Sequence, residues 1–95
     1  MILGVGVDVV LLTRVESAFS RFGDRFSKKI LSVQELSSGT VDARLLAKRF
    51  AVKEAIAKAL GTGFRGGITM PSMSIIKTEL NAPKVVLSGA ALERL

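Results

Sequence analysis

Two carboxylates stand out as candidates for chemistry: Asp8 near the start of the chain and Glu54 beyond its middle. Asp8 interrupts the apolar run 1–12 and follows Gly4 and Gly6, which let a ligand or another backbone come close. A buried carboxylate needs a cation, a metal or several N–H donors as partners. Asp8 is therefore either part of a ligand site or a structural residue that caps a helix or pairs with a core arginine, and both interpretations remain open.

Glu54 precedes Lys58 by four residues, the favourable order for an acid–base pair on a helix. The simplest interpretation is an ordinary surface ion pair. The small and apolar residues on the same side of the helix favour a cleft or a subunit contact instead; they are Ala43, Ala47, Phe50, Ala51 and Ala57. Arg49 and Lys53 lie at one edge of this side. Two carboxylates among such cations suit Mg2+ holding a pyrophosphate, because Mg2+ prefers carboxylate and phosphate oxygens and cations offset charge on a leaving phosphate.

A third candidate is a basic stripe near the N-terminus. Arg14, Arg21, Arg25 and Lys28 follow one another at spacings of seven, four and three, so they share one side of a helix if that helix continues through Gly23. Such a stripe is most often a solvated face. Its functional interpretation is a docking surface for an acidic helix or a nucleic-acid backbone.

Composition narrows the classes of function. The 95 residues contain 14 Lys and Arg against 8 Asp and Glu, a formal charge of +6 that favours anionic partners without choosing among them. The sequence has no Cys and no His, which excludes disulfides, Ser-His-Asp triads and thiolate or histidine zinc sites. The apolar run 1–12 is too short to span a bilayer and lacks the basic start of a signal peptide, so we expect a cytoplasmic protein.

The N-terminal half must position these groups. The β-branched and Leu-rich segment 2–12 predicts a buried strand, with Asp8 on the same face as the two glycines. Thr13 and Glu16 have the spacing of a capping box that begins a helix, and Gly23 interrupts that helix. A short helical segment is expected over 24–31, and a second box, Ser32 with Glu35, predicts another short helix over 33–38.

The C-terminal half begins with the longest predicted helix, 42–60, which Gly61 ends. Its expected core stripe consists of Leu45, Val52, Ile56, Ala59 and Leu60. The glycine-rich loop 61–67 could bring backbone N–H groups to phosphate oxygens, with Gly61 and Gly63 as candidates, although it is not a Walker A motif. Strands over 73–79 and 84–88 and a last helix from Gly89 complete a single α+β domain over 1–95, with a small mixed or antiparallel sheet packed on the long helix.

Four segments together are similar to one known family. They are GVGVDV at 4–9, RFGDRF at 21–26, KRFAVKEAIAKALG at 48–61 and PKVVLSGAA at 83–91. Together they resemble the holo-acyl-carrier-protein synthases, a short, trimeric type within the 4′-phosphopantetheinyl transferase superfamily. The K-E-A-x-x-K block with its distant Asp is highly specific, and the resemblance covers nearly the whole chain. Members of this family continue into further strands with a Ser-Leu-Ser-His segment, so the resemblance implies that this sequence is C-terminally incomplete.

The resemblance also implies roles for individual residues. Asp8 and Glu54 match the Mg2+ ligands, and Lys58 matches the lysine that contacts the coenzyme A pyrophosphate. Arg49 and Lys53 match basic positions near the nucleotide phosphates. The resemblance further implies that Arg14, Arg21 and Arg25 bind an acidic apo-acyl-carrier protein. The fold would be that of a phosphopantetheinyl transferase, assembled as a homotrimer with active sites between subunits.

The activity that the resemblance implies belongs to fatty acid biosynthesis. The carrier serine attacks the β-phosphate of coenzyme A, adenosine 3′,5′-bisphosphate leaves, Lys58 offsets its charge, and Glu54 or a metal-bound water accepts the serine proton. This hypothesis requires neither nucleic acid nor membrane as a partner. Two alternatives remain: a small basic nucleic-acid-binding module, which would expose aromatic side chains beside its cations, and a non-catalytic fragment that docks a carrier protein without Mg2+.

Overall fold

The computed structural model describes residues 8–61, 68–77, 79–80, 82–89 and 92. Its helices are α1 (Val9–Phe22), α2 (Asp24–Ile30), α3 (Val33–Leu36) and α4 (Ala43–Ala59). A 3-10 turn, Met70–Ser72, leads into the strands β1 (Met73–Lys77) and β2 (Pro83–Leu87). Helices that precede a small antiparallel sheet confirm the α+β class.

The N-terminal segment differs from its prediction. The expected strand 2–12 is wrong from residue 9 onward, because α1 begins at Val9, while residues 1–7 lie outside the described part of the chain. Asp8 is the N-cap, and its Oδ1 accepts hydrogen bonds from Val10 N at 2.8 Å and Leu11 N at 3.1 Å. The expected capping box at Thr13 is also wrong, since Thr13 lies inside the helix and its Oγ1 donates to Val9 O at 2.9 Å.

Burial explains this outcome. The side chains of α1 that pack into the first core cluster recur at helical spacing; they are Leu11, Leu12, Val15 and Phe19. A short apolar run fits a buried strand or a buried helix equally well by composition. The segment forms a helix and not a strand because the cap at Asp8 and the core contacts both require helical geometry.

Gly23 separates α1 from α2. Its φ of 54° and ψ of −127° lie where side chains with a Cβ rarely go, so the chain changes direction at this residue. The break was predicted, but it removes the condition on which the basic stripe depended. Arg21 lies in the last turn of α1, whereas Arg25 and Lys28 belong to the separate helix α2, so the stripe is not one continuous helical face.

The start of α3 and both ends of α4 confirm their predictions to within one residue, whereas α3 ends at Leu36 and not at 38. Ser32 Oγ accepts from Glu35 N at 3.2 Å and Glu35 Oε1 accepts from Ser32 N at 2.9 Å, which completes the expected capping box. Asp42 Oδ1 accepts from Leu45 N at 2.7 Å at the start of α4. Gly61 follows the end of α4 with a φ of 84°, as expected of a helix stop.

The core has two parts, and α4 contributes to both. The first buries Val15, Ile30, Leu31, Leu46 and Ala47, and the second buries Ala57, Ile68 and Met73. The expected core stripe of α4 is wrong in detail. Its members Leu45, Val52, Ile56 and Leu60 are only half-buried and Ala59 is exposed, while the fully buried positions are Leu46, Ala47, Lys53 and Ala57.

β1 and β2 pair antiparallel, with Ile75 opposite Val85. Met73 and Ile75 of β1 face the core, while most of β2 is exposed. The expected final helix from Gly89 lies largely outside the described residues. Within the residues described, no helix combines the length and hydropathy needed to cross a membrane.

Candidate functional site

The two candidate carboxylates line the same cavity. It has a volume of about 520 Å3 and lies where α1 and α4 pack together. Its lining consists of Asp8, Leu11, Arg14, Val15, Ala18, Phe26, Phe50 and Glu54. Residues 46 positions apart in the chain thus converge, with one arginine beside them and apolar side chains around them.

Asp8 serves as a helix cap and also reaches this cavity. Both cap hydrogen bonds use Oδ1, so the other carboxylate oxygen, Oδ2, is not needed for the cap. The structural interpretation of Asp8 as a helix cap is therefore confirmed. It does not conflict with a ligand role, because one oxygen can hold the helix while the other faces a ligand.

Glu54 enters the cavity from the middle of α4. Its Oε1 lies 3.4 Å from Lys58 Nζ, and the two side chains are 44% and 74% exposed. An ion pair this exposed contributes little to stability. Glu54 and Lys58 can therefore exchange their mutual contact for contacts with a metal and a phosphate at small cost.

The donor set fits Mg2+. No group of three or more Asp, Glu, His or Cys side chains that could hold a metal occurs among the described residues. Mg2+ is commonly held by one or two carboxylates, with water and substrate phosphates as its other ligands. Asp8 and Glu54 in one cavity match that pattern, and the open space beside them can admit a phosphate.

The three arginines expected to bind a partner are all exposed. Arg14 lines the cavity of Asp8 and Glu54, which places one cation directly beside the carboxylates. The Arg21 guanidinium lies 5.5 Å from the centre of the Phe22 ring, itself 51% exposed. Arg25 follows on α2. Their role in docking a partner stays a prediction.

Lys53 does not lie in this cavity. Its side chain is fully buried, and Nζ donates to Ile30 O at 2.6 Å and to Glu35 Oε1 at 2.5 Å. Burial lowers the pKa of Lys53 from its ordinary value, and the carboxylate of Glu35 partly opposes that shift. An ammonium with these partners cannot also contact a nucleotide phosphate, so this placement corrects the expected role of Lys53.

Glu35 is the residue that sequence reasoning missed. Besides its cap contact with Ser32, its Oε2 accepts from Ile75 N at 3.2 Å and lies 3.3 Å from Arg49 Nε without hydrogen-bond geometry. Only 4% of Glu35 is exposed. The capping box identified the residue, but the contacts with Lys53 and β1 come from segments 18 and 40 residues away. The sequence signal for this contact is weak, because a lysine at the edge of the small-residue side of α4 can equally extend its ammonium into water.

The remaining site predictions fall elsewhere. Arg49 and Lys77 line a separate cavity of about 230 Å3, so Arg49 is not beside Asp8 and Glu54. Gly61 is exposed at the end of α4, and Gly63 lies outside the described residues. Contacts of these three predicted residues with phosphates stay predictions.

An apolar groove of about 590 Å3 runs between the end of α4 and β2. Its lining includes Ile56, Leu60, Val85, Val86 and Leu92. Val85, Val86 and Leu92 are 42%, 37% and 53% exposed. So much exposed apolar surface beside a small two-stranded sheet favours a further contact on this side.

Known proteins resemble the chain along almost its full length. The sequence pattern of the 4′-phosphopantetheinyl transferase superfamily matches residues 4–94. A holo-[acyl-carrier-protein] synthase of Desulfovibrio desulfuricans is 47% identical over 94 residues, which cover 98% of this chain and 76% of the relative. Its counterpart in Halorhodospira halophila is 43% identical over 97 residues, which cover 99% of this chain and 77% of the relative.

Solved structures show the same similarity. The crystal structure of holo-[acyl-carrier-protein] synthase from Neisseria meningitidis superposes with a TM-score of 0.75 at 39% identity, covering 99% of this chain and 77% of that one. An acyl carrier protein synthase of Plasmodium yoelii with ADP bound gives a TM-score of 0.74 at 28% identity, covering 99% of this chain and 74% of that one. The arrangement of helices and strands described above is thus shared with enzymes of known activity.

Proposed function

The chain belongs to the 4′-phosphopantetheinyl transferase superfamily, and on this premise we propose that it transfers 4′-phosphopantetheine from coenzyme A to a serine of an apo-acyl-carrier protein. The relatives that share 43–47% identity are holo-[acyl-carrier-protein] synthases, which supports this choice of acceptor. The observation in this chain that carries the proposal is the convergence of Asp8 and Glu54 in one cavity with Arg14 beside them.

Asp8 and Glu54 would hold Mg2+ through their carboxylate oxygens. When bound there, Mg2+ would withdraw charge from the pyrophosphate of coenzyme A and make its β-phosphorus easier to attack. Apolar side chains, among them Phe26 and Phe50, form other parts of the cavity wall. Adenine nucleotide is an established ligand of the Plasmodium yoelii relative, whose structure contains ADP.

Lys58 and Glu54 carry the reacting charges in this proposal. The carrier serine oxygen attacks the β-phosphorus, the bond to the bridging oxygen breaks, and adenosine 3′,5′-bisphosphate leaves. Lys58 is 74% exposed and long enough to turn from Glu54 to the pyrophosphate, where its ammonium offsets the charge of the leaving group. The serine proton passes to the Glu54 carboxylate or to a water molecule beside it.

Arg14, Arg21 and Arg25 would receive the carrier protein. All three are exposed, and Arg14 joins this surface to the cavity, so a carrier held by these residues would bring its serine to the carboxylates. An acidic carrier would be attracted by the charge of +6. The separation of α1 from α2 at Gly23 means that the surface spans two helices.

The apolar groove beside β2 supports a subunit contact, and we propose the homotrimer as the assembly. We also propose fatty acid biosynthesis as the pathway and the cytoplasm as the location, in keeping with the similarity to holo-[acyl-carrier-protein] synthases. A nucleic-acid-binding module would expose several aromatic side chains beside its cations. Among the described residues, the structure shows one such contact, between Arg21 and Phe22, so we prefer the enzyme.

The test combines the protein with coenzyme A, Mg2+ and an apo-acyl-carrier protein, followed by mass spectrometry of the carrier. We expect the carrier mass to increase by one phosphopantetheine group, and the reaction to stop when the metal is removed by a chelator. An unmodified carrier with the metal present would contradict the transferase. A carrier that binds but is never modified would indicate a docking fragment.

A further inference from the structure

We infer that the buried pair Glu35–Lys53 is a positioning device that fixes the rotation of α4 and so aims Glu54 at Asp8. Neither residue lines the cavity, so any effect on the metal site must act through the helix. The inference rests on the proposed function, because it concerns the metal ligands that the function requires. It assigns a role to two residues that touch neither metal nor substrate.

The pair connects four elements at one point. Lys53 of α4 donates to Ile30 O, at the end of α2, and to Glu35 of α3. Glu35 in turn accepts from the backbone of Ser32 before α3 and from Ile75 of β1. Lys53 is 0% exposed and Glu35 is 4% exposed, so solvent does not compete for these contacts. Hydrogen bonds to ionised groups are short and directional, which lets them define an orientation.

The fully buried apolar side chains of α4 are mostly small. The fully buried apolar positions of this helix are Leu46, Ala47 and Ala57, two of them alanines. Alanine side chains allow close approach but interlock little with their neighbours. In the second half of α4, Ala57 and Lys53 are the fully buried positions, while Ile56 is half-buried against the second core cluster. Lys53 is therefore the longest fully buried side chain of this half and adds a directional anchor to the apolar contacts.

Lys53 and Glu54 are adjacent on α4, so their side chains point about 100° apart around the helix axis. Anchoring Lys53 on one side of the helix therefore sets the direction of Glu54 on another. Without the pair, α4 can rotate slightly and carry the Glu54 carboxylate away from Asp8. Residues that act on a site through packed neighbours typically change its affinity by roughly 2- to 30-fold.

The experiment measures Mn2+ binding to the whole chain by electron paramagnetic resonance, with coenzyme A present and Mn2+ as the probe for the Mg2+ site. Lys53→Met keeps the length and apolar character of the side chain but removes the ammonium. Glu35→Gln keeps the shape of the partner and removes its charge, and it serves if Lys53→Met does not fold. We expect each variant to bind Mn2+ at least about fivefold more weakly than the wild type.

The matched control is Met73→Ala, which removes a fully buried side chain from β1 beside Ala57 and lowers stability without touching the pair or the cavity. Unfolding by urea ranks the three variants by stability. The inference is supported if Met73→Ala keeps an Mn2+ affinity within about twofold of the wild type, the lower limit of indirect coupling, while both pair variants bind Mn2+ more weakly.

Two other outcomes overturn the inference in distinguishable ways. If Lys53→Met and Glu35→Gln bind Mn2+ as the wild type does, the pair serves stability alone and the proposed function stands. If the wild type itself binds no Mn2+, or if Asp8→Asn leaves binding unchanged, the metal site of the proposed function fails and the positioning role fails with it.

Discussion

The buried carboxylate of Glu35 gives the sharpest prediction about stability. Glu35→Ala removes the acceptor for Lys53 Nζ and for the backbone N–H groups of Ser32 and Ile75 at once. Lys53 then keeps one partner, Ile30 O, in a site with no solvent exposure. Removing one member of a buried ion pair typically costs about 3–5 kcal/mol, a large share of the roughly 5–15 kcal/mol that stabilises a domain.

Lys53→Met should cost less. Glu35 retains Ser32 N, Ile75 N and the nearby Arg49, so the carboxylate loses one charge-assisted hydrogen bond, worth about 1.5–3 kcal/mol. Replacing both members by apolar residues, as in Glu35→Leu with Lys53→Met, removes the unpaired charge but still leaves two buried N–H groups without an acceptor. We expect the double variant to be less costly than the sum of its parts.

The assay is equilibrium unfolding in urea followed by far-UV circular dichroism, with the free energy of unfolding extrapolated linearly to water. Lys58→Ala is the control, because its exposed pair with Glu54 should contribute no more than about 0.5 kcal/mol. The reasoning would be refuted if Glu35→Ala cost no more than Lys58→Ala, or no more than Lys53→Met.

Four further predictions concern the site and its surroundings. Asp8→Asn keeps a good N-cap, so the free energy of unfolding should change by less than about 1 kcal/mol, while Mg2+-dependent transfer measured by mass spectrometry falls at least about a hundredfold; full activity would remove Asp8 from the metal site. Because burial lowers the pKa of Lys53 below 10.5, the unfolded chain holds a proton that the folded chain lacks between the lowered value and 10.5. The pH-dependent part of the contribution of Lys53 to stability is therefore fully present above pH 10.5 and is lost as pH falls through the folded pKa, below which the hydrogen bonds of the ammonium contribute a constant amount. The free energy of unfolding of the wild type relative to Lys53→Met should therefore rise with pH in urea titrations; a constant difference would contradict this. Arg25→Glu should raise KM for the carrier protein about tenfold with little change in kcat, whereas Lys29→Glu on the same helix serves as the control, and equal effects of both would indicate a general charge effect. Val86→Lys, in the exposed part of β2, should lower the mass of the assembly in light scattering, and an unchanged mass would exclude β2 from the subunit contact.

The sequence by itself determined the family, most element boundaries and the candidate ligands. Glycines at 23 and 61 and the Ser32–Glu35 box act through neighbouring backbone, so local rules located them correctly. Asp8 and Glu54 could be identified from local sequence alone. Asp8 interrupts an apolar run, and Glu54 lies on a helix face of small residues, and both positions are unusual for a carboxylate.

The tertiary structure decided what depends on distant partners. Residues 9–12 form a helix because Asp8 caps it and its apolar side chains meet the core at helical spacing, while composition alone fits a strand as well. Lys53 is a buried anchor because Glu35, 18 residues away, lies within hydrogen-bond distance. A lysine can bind a phosphate or a buried carboxylate equally well. Only the packing of α3 against its neighbours brings the Glu35 carboxylate to Lys53.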